Sequence, residues 1–192
     1  MRYFKKILLL AGLLFLFSTS FSQDVNQSYF FQEVGWSITL PPDFVMLDLN
    51  EHFLNAQEDE EEDMTTNINA TQTMVVAIKD RFNYFNVSIS PFGEADDKAW
   101  GSATQSFKEQ VYKSMTKNIG REQIDSASSI EFIDGLAFDK FRISIVTNKG
   151  LHLDMFLLAK CYKGYDFAIT YLSMSEGTKN EIELMLKTSR FN

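Results

Sequence analysis

The 192-residue sequence contains a single cysteine, Cys161, and only two histidines. One thiol forms no internal disulfide, so the fold must be stabilised by side-chain packing even in an oxidising compartment. A structural zinc site normally has four ligands, mainly cysteine and histidine. The composition therefore predicts no disulfide, no dedicated metal site and no cofactor.

Catalytic motifs are absent as well. The sequence lacks Gly-x-Ser-x-Gly, a phosphate-binding glycine loop and His-Glu-x-x-His, the usual signals of hydrolases, nucleotide-binding proteins and metalloproteases. Cys161 and His152 lie nine residues apart, on opposite faces of one predicted strand, and thus roughly 30 Å apart. This is too far for an activated thiol, and His52 belongs to a distant segment. We predict no catalytic residue and expect Cys161 to be a small buried apolar side chain.

Basic residues are outnumbered, with 18 lysines and arginines against 26 acidic residues and a net charge of −8. Three of the basic residues and none of the acidic ones lie in the first 22 positions, so the remainder carries −11. Such a surface repels nucleic acid and anionic lipid. We expect no nucleic-acid partner; the charge favours basic partners or serves solubility.

The amino terminus has the order of a secretory signal peptide. Three basic residues within the first six precede an apolar run at 7–17, about half the length that a membrane-spanning helix needs. Small side chains at Ser20 and Ser22 predict cleavage between Ser22 and Gln23. We expect residues 1–22 to be removed and the protein to be periplasmic or secreted, without a stable membrane anchor. An uncleaved anchor is the alternative.

Residues 23–192 have the length of one domain. Apolar and polar residues alternate over 36–40, which predicts a half-buried strand, and a short helix or irregular segment follows over 43–56. The six acidic residues at 58–63 predict a solvated, mobile loop over about 57–72. Glu60, Glu61 and Glu62 in this loop are candidate contacts for a basic partner. Ca²⁺ is the alternative, although the run lacks the glycine of a calcium loop.

Two strand-like runs, 73–80 and 84–91, are joined closely enough for an antiparallel hairpin. Phe82 lies in the connection, and an exposed aromatic side chain there is a candidate partner contact. Apolar residues at spacings of three and four then predict a helix from Asp97 to a stop at Gly120. Its predicted apolar stripe comprises Trp100, Ala103, Phe107, Val111 and Met115.

The last third predicts four antiparallel strands separated by turn residues, over 130–133, 136–147, 151–162 and 165–174. A final helix follows, in which Thr178 and Glu181 have the spacing of a capping box and Ile182, Met185 and Leu186 form the apolar stripe. Both faces of the 151–162 strand carry apolar residues. The predicted fold is therefore α+β, an α/β/α sandwich whose mostly antiparallel sheet of about six or seven strands is covered by amphipathic helices.

Three segments, in order, resemble the PsbP-like (Mog1/PsbP) superfamily of α/β/α sandwiches. They are residues 35–44 (GWSITLPPDF), the hairpin around Asp134-Gly135 with Phe138 and Phe141, and the closing helix with residues 182–186 (IELML) that ends near Phe191. The resemblance implies a small exported bacterial member of that superfamily. It also implies a non-enzymatic binding or assembly subunit, since members include an extrinsic photosystem protein and a small-GTPase partner.

His152 and Asp154 share a strand face and form the remaining polar pair, but two ligands do not make a metal site, so we expect a surface or satisfied pair. The leading hypothesis is a non-enzymatic exported binding or assembly module that contacts a protein partner, with its role and oligomeric state open. One alternative is a carrier of a small apolar ligand between sheet and helix. Another is an enzyme whose site combines scattered polar residues.

Overall fold

The computed structural model describes residues 27–47, 72–92, 97–117, 123–147 and 149–192. The predicted signal peptide, His52, the acidic loop with Glu60, Glu61 and Glu62, and the helix stop at Gly120 lie outside the described residues. The elements within them are, in chain order, β1 (Gln27–Phe31), β2 (Trp36–Leu40), β3 (Val45–Met46), β4 (Gln72–Asp80), β5 (Asn83–Pro91), α1 (Asp97–Thr116), β6 (Ile124–Ile133), β7 (Leu136–Val146), β8 (His152–Tyr162), β9 (Tyr165–Ser173), α2 (Glu176–Thr188) and β10 (Arg190–Phe191).

Seven strands form one sheet in the order β3-β4-β5-β9-β8-β7-β6, and all neighbours are antiparallel. The predicted hairpin and meander are therefore confirmed. Asp134 and Gly135 have φ angles of 47° and 79°, the positive values that a two-residue type I′ turn requires. Strand β6 begins at Ile124 rather than at the predicted Ile130. The part of β6 before Ile130 was not predicted, because it is rich in serine and mostly exposed and so shows no alternation of apolar residues.

Three strands form a second sheet, in the order β1-β2-β10. The predicted strand at 36–40 is confirmed as β2, whereas β1 and the two-residue β10 were not predicted. The chain end returns to Gly35, whose carbonyl accepts a hydrogen bond of 2.8 Å from the Asn192 N–H. Gly35 has a φ of 65°, and a Cβ there would lie 2.5 Å from the Asn192 carbonyl oxygen. This junction therefore requires glycine.

The large sheet buries apolar side chains on both faces. On one face, α2 and the small sheet cover the main core, which includes the fully buried Trp36, Phe138 and Phe167. On the other face, α1 packs over a smaller cluster that includes Phe141 and the partly buried Val111. The layering is broadly consistent with the predicted α/β/α sandwich. The added feature is the small sheet, which shares an outer layer with α2.

Helix α1 packs on the sheet through a face that matches the predicted stripe only in part. Val111 packs on the smaller cluster and Trp100 hydrogen-bonds to Asp166 of β9, as the stripe predicts. Ala103 and Phe107 of the predicted stripe are exposed, whereas Thr104 and Lys108 are buried; the side chain of Met115 lies outside the description. Lys108 pairs with Asp139 of the sheet. A carboxylate under the helix favours a cation on the inward face, and the lysine stem packs as an apolar chain.

Helix α2 begins three residues before the predicted position. Ser175 is the N-cap, and its Oγ accepts a hydrogen bond of 3.1 Å from the Thr178 N–H. The predicted capping box that begins at Thr178 is therefore wrong, because Thr178 lies inside the first turn. The predicted stripe of Ile182, Met185 and Leu186 is confirmed, since all three are buried. No helix in the described ranges is both long and apolar enough to cross a membrane.

Candidate partner-binding surface

A cleft of about 270 Å³ lies between α1 and β6, the last strand of the large sheet. Residues spaced three and four apart on α1 form one wall, and alternate residues of β6 form the other. The aromatic ring of Phe141 contributes to the floor. The lining residues are Gln105, Lys108, Glu109, Tyr112, Lys113, Ser126, Ser128 and Phe141.

The cleft exists because small side chains of the strand oppose a helix with a bulky inward face. Ser126 and Ser128 present only a hydroxymethyl group at positions where β7 presents large apolar residues. Lys108, 6% exposed, fixes the helix over the sheet through its ion pair with Asp139. Its Nζ also lies 5.9 Å from the centre of the Phe141 ring, within cation–π distance. The helix thus lies over β8, with Lys108 reaching to β7, and the space over β6 stays open.

Two large apolar side chains are exposed beside the cleft, on the edge strand itself. Ile130 is 58% and Phe132 is 64% exposed. They continue the alternation of Ser126 and Ser128 along β6, so the four side chains share one face of the sheet. We call the cleft together with Ile130 and Phe132 the α1–β6 surface. Scattered apolar exposure is common, but two large residues beside a cleft are typical of an interaction site.

A polar cluster on the opposite face of the sheet joins β7 and β8. The Ser144 Oγ lies 2.6 Å from Nε2 of His152 and donates a hydrogen bond of 2.6 Å to Oδ1 of Asp154. Because its one proton goes to the carboxylate, the hydroxyl accepts from Nε2 and is not deprotonated by the imidazole. Asp154 also approaches Nε2, at 3.4 Å, whereas in a catalytic triad it would orient the ring through Nδ1. His152 and Asp154 thus form a surface pair that is joined through hydrogen bonds to Ser144.

The same cluster supplies few ligands for a metal. In the described part of the chain, no three residues among histidine, cysteine, aspartate and glutamate come together as a group that could hold an ion. His152 and Cys161 lie on opposite faces of β8, as predicted. Cys161 is half-buried rather than fully buried, because it lies one residue from the end of its strand.

A second polar network lies beneath α2. Lys140 pairs with Glu131 and Glu183 at 3.1 and 3.3 Å, and the Tyr171 hydroxyl donates to Glu183 at 3.4 Å. Burial raises the pKa of the Tyr171 hydroxyl, and the negative charge of Glu183 raises it further. The adjoining cavity has a volume of about 10 Å³, enough for one water molecule at most. This network is too closed to receive a ligand.

Phe82 occupies the turn between β4 and β5, where it is 39% exposed. The Arg81 guanidinium lies 4.4 Å from the centre of its ring, so part of the aromatic face is already covered. Strands β9, β8 and β7 separate β5 from β6. Phe82 therefore does not belong to the α1–β6 surface, and its role in partner binding stays a prediction.

The sequence interpretation missed the α1–β6 surface although it contained a usable signal. The stretch at 125–129 is polar, and Ile130 and Phe132 follow at alternate positions. A polar half continuing into an apolar half within one strand is typical of an edge strand that is only partly covered. The burial of Lys108 could not be predicted from the neighbouring residues, because it depends on the ion pair with Asp139, 31 residues away in sequence.

No family model matches the chain, and no curated protein is significantly similar in sequence. Solved structures, by contrast, are similar in fold. PsbP (CyanoP) from Synechocystis sp. PCC 6803 matches with a TM-score of 0.52 and 11% sequence identity, over 86% of this chain and 92% of that one. The protein thus has a PsbP-like fold, as the resemblance in sequence predicts.

Two further structures match less closely. A protein from Bacteroides thetaiotaomicron VPI-5482 has a TM-score of 0.45 and 11% identity, over 87% of this chain and 48% of that one, so the chain spans about half of its length. LpqN from Mycobacterium tuberculosis, described as involved in cell envelope biogenesis, has a TM-score of 0.40 and 10% identity, over 89% and 87%. At these identities the similarity concerns the fold alone.

Proposed function

We propose that this protein with a PsbP-like fold is a non-enzymatic, exported binding module that contacts a protein partner through the α1–β6 surface. The observation that carries the proposal is the exposure of Ile130 and Phe132, 58% and 64%, beside a cleft. Burial of large apolar side chains in a partner is the main favourable term in protein association. Export rests on the basic and apolar order of residues 1–22.

The lining of the cleft supports a protein partner over an enclosed substrate. Its volume of about 270 Å³ is close to the lower limit of the roughly 300–1,000 Å³ of small-molecule sites. Its lining combines Tyr112 and Phe141 with charged residues, a mixture that suits one or two side chains of a partner. The polar cluster at Ser144 supports a non-enzymatic role, since its hydroxyl donates to Asp154 and the imidazole of His152 does not accept that proton as it would in a Ser-His pair.

Affinity capture from the envelope of the native host tests the proposal. The bait is the exported protein, compared with the double variant Ile130→Ser/Phe132→Ser. Leu184→Ser is the matched control, because Leu184 is 63% exposed on the outer side of α2. We expect one reproducible partner with the wild type and the control, and loss of that partner with the double variant. Equal capture by all three baits, or no reproducible capture, would contradict the proposal.

The acidic residues Glu60, Glu61 and Glu62 and the aromatic Phe82 are proposed secondary contacts. Replacing the three glutamates by glutamine should weaken capture only if the partner is basic, and the loss should shrink at high salt. Phe82→Ala tests the turn in the same assay. Unchanged capture by either variant would remove that contact from the proposal without affecting the α1–β6 surface.

A carrier of a small apolar ligand is the second candidate function. It is favoured by the position of the cleft, between sheet and helix, and by the two aromatic rings of Tyr112 and Phe141 in its wall. Titration with the fluorescent probe 1-anilinonaphthalene-8-sulfonate tests it. A carrier should bind the probe at one site, and Ser128→Trp, which fills the cleft, should abolish binding. Binding that is unaffected by Ser128→Trp would eliminate this candidate.

A further inference from the structure

Strand β6 is an edge that lacks most of the features that usually protect one. It has ten residues, and no strand in the described ranges pairs with its outer side. Its sequence contains no proline, lysine or arginine, and its pairing with β7 runs without a register shift. Short strands, proline, bulges and charged side chains, especially lysine, keep edges from pairing with other chains, and of these β6 has only the charges of Asp125 and Glu131. The opposite edge of the sheet, β3, has only two residues.

The type I′ turn fixes which backbone groups of β6 face outward. In such a hairpin the pair that flanks the turn, Ile133 and Leu136, exchanges both of its hydrogen bonds. Hydrogen-bonded pairs then alternate along the strands, so the odd-numbered residues of β6 bond to β7. The even-numbered residues from 126 to 132 therefore direct their N–H and C=O groups away from the sheet. These are the residues whose side chains belong to the α1–β6 surface.

We propose that β6 receives an extended segment of the partner protein as an added strand, in which apolar residues alternate with basic ones. This inference rests on the proposed binding function and specifies how binding occurs. The apolar residues of the added strand lie opposite Ile130 and Phe132 and beside the cleft. The basic residues lie on the other face, opposite Asp125 and Glu131. Main-chain hydrogen bonds then supply affinity, and the alternate side chains supply specificity.

Charge decides between a foreign strand and a second copy of this chain. The only charged residues of β6 are two acids, Asp125 and Glu131, and the whole chain carries −8. Two copies would repel each other, and antiparallel pairing centred on Ser128 would place Asp125 opposite Glu131 of the second copy. Opposite charges across a strand pair stabilise it, whereas like charges destabilise it. Within the sheet Asp125 already pairs with Arg142 and Glu131 with Lys140, so a basic strand adds a second cation beside each acid and is attracted by the negative charge of the whole chain.

Synthetic peptides test the inference on the wild-type protein. The probe is a ten-residue peptide of alternating valine and lysine, matched to the ten residues of β6. Its valines lie opposite the outward-facing residues of β6, so the valine N–H groups point towards β6. N-methylation of every valine should reduce the affinity about tenfold or more, whereas N-methylation of every lysine should leave it nearly unchanged. Equal affinities of the two methylated peptides would overturn the inference.

Variants of β6 provide the second arm. Ser128→Pro removes an outward N–H, which an edge strand tolerates, and Ser128→Ala keeps that N–H. Binding of the unmethylated peptide should fall with the proline variant and persist with alanine, and peptide binding should slow amide hydrogen exchange at residues 126–132. Protection elsewhere, or sedimentation that shows β6-dependent dimers of the wild type, would overturn the inference. Partner capture that is lost with Ile130→Ser/Phe132→Ser but kept with Ser128→Pro would leave the binding function standing and refute strand addition alone.

Discussion

Replacement of Trp36 tests how the small sheet is attached to the large one. Trp36 is fully buried, and its ring lies 5.7 Å from Phe31, 5.5 Å from Phe167 and 6.1 Å from Phe191, measured between ring centres. Such ring pairs add to the apolar area that the side chain buries. Trp36→Ala should therefore lower the free energy of unfolding by about 3–5 kcal/mol.

Trp36→Phe should behave very differently, because of the indole N–H. No described residue accepts a hydrogen bond from the buried Nε1 of Trp36, and an unpaired buried donor costs about 1–3 kcal/mol. Phenylalanine removes that donor and keeps a six-membered ring, at a loss of about 1–2 kcal/mol in packing. The two effects oppose each other, so we expect the stability of Trp36→Phe to lie within about 1 kcal/mol of the wild type.

Trp100→Phe is the matched control, because the Nε1 of Trp100 donates a hydrogen bond of 2.9 Å to Asp166. Here the substitution removes a hydrogen bond to a carboxylate and should cost about 1–2 kcal/mol. Urea unfolding monitored by far-UV circular dichroism measures all three variants, since each substitution removes one of the two tryptophans and complicates fluorescence. If Trp36→Phe destabilises as much as Trp36→Ala, the account of an unpaired indole is refuted.

The other predictions concern the backbone and ionisation. Gly35→Ala should destabilise by about 2–3 kcal/mol, because of its positive φ and the clash with Asn192. Gly101→Ala in α1, where an added Cβ would meet open space, should instead stabilise by about 0.5–1 kcal/mol. Denaturant midpoints that fail to move in opposite directions would contradict this. The pKa of Tyr171 is raised above 10.0 in the folded protein, so this hydroxyl stays protonated at a pH at which it ionises in the unfolded chain. The free energy of unfolding should therefore fall above pH 10 more steeply in the wild type than in Tyr171→Phe. Equal slopes in urea unfolding at alkaline pH would contradict this prediction. The hydrogen bond from the Phe82 N–H, and after it the one from the Asn83 side chain, lowers the pKa of Asp80 below 3.8. The stability that these bonds add is therefore present above pH 3.8 and is lost as the pH falls through the lowered pKa. The Phe82 amide should then lose its protection from hydrogen exchange, and unchanged protection in acid would exclude the bond.

Local patterns in the sequence predict the sheet well. The Asp134-Gly135 pair predicts a two-residue turn, and the alternation of Phe141, Ile143 and Ile145 predicts one buried face of β7; both are confirmed. These features depend on residues close together in sequence, where backbone preference and burial act at the same positions.

Features that depend on distant contacts could not be predicted. Strand β10 has two residues, too few for any period, and it forms because Phe191 packs on Trp36 and the chain end bonds to Gly35. The start of α2 was ambiguous, because Ser175 and Thr178 are both good caps. The site was harder still, since Phe82 and the glutamates were chosen by composition, whereas Ile130 becomes notable only when its strand is known to lie at the edge.

The two faces of the large sheet are covered unequally, so the residues that stabilise the fold differ from the residues proposed to bind a partner. Trp36, Phe138 and Phe167 seal the face under α2 and the small sheet, and each is fully buried. On the opposite face one helix lies over β8, tied to β7 by the Lys108–Asp139 pair, and leaves the side chains of β6 from Ser126 to Phe132 on that face open. Substitutions at Ile130 or Phe132 thus remove little area buried on folding and should cost about 0.5 kcal/mol or less. Substitutions on the open face of β6 should therefore change binding without changing stability, whereas substitutions in the main core should change stability.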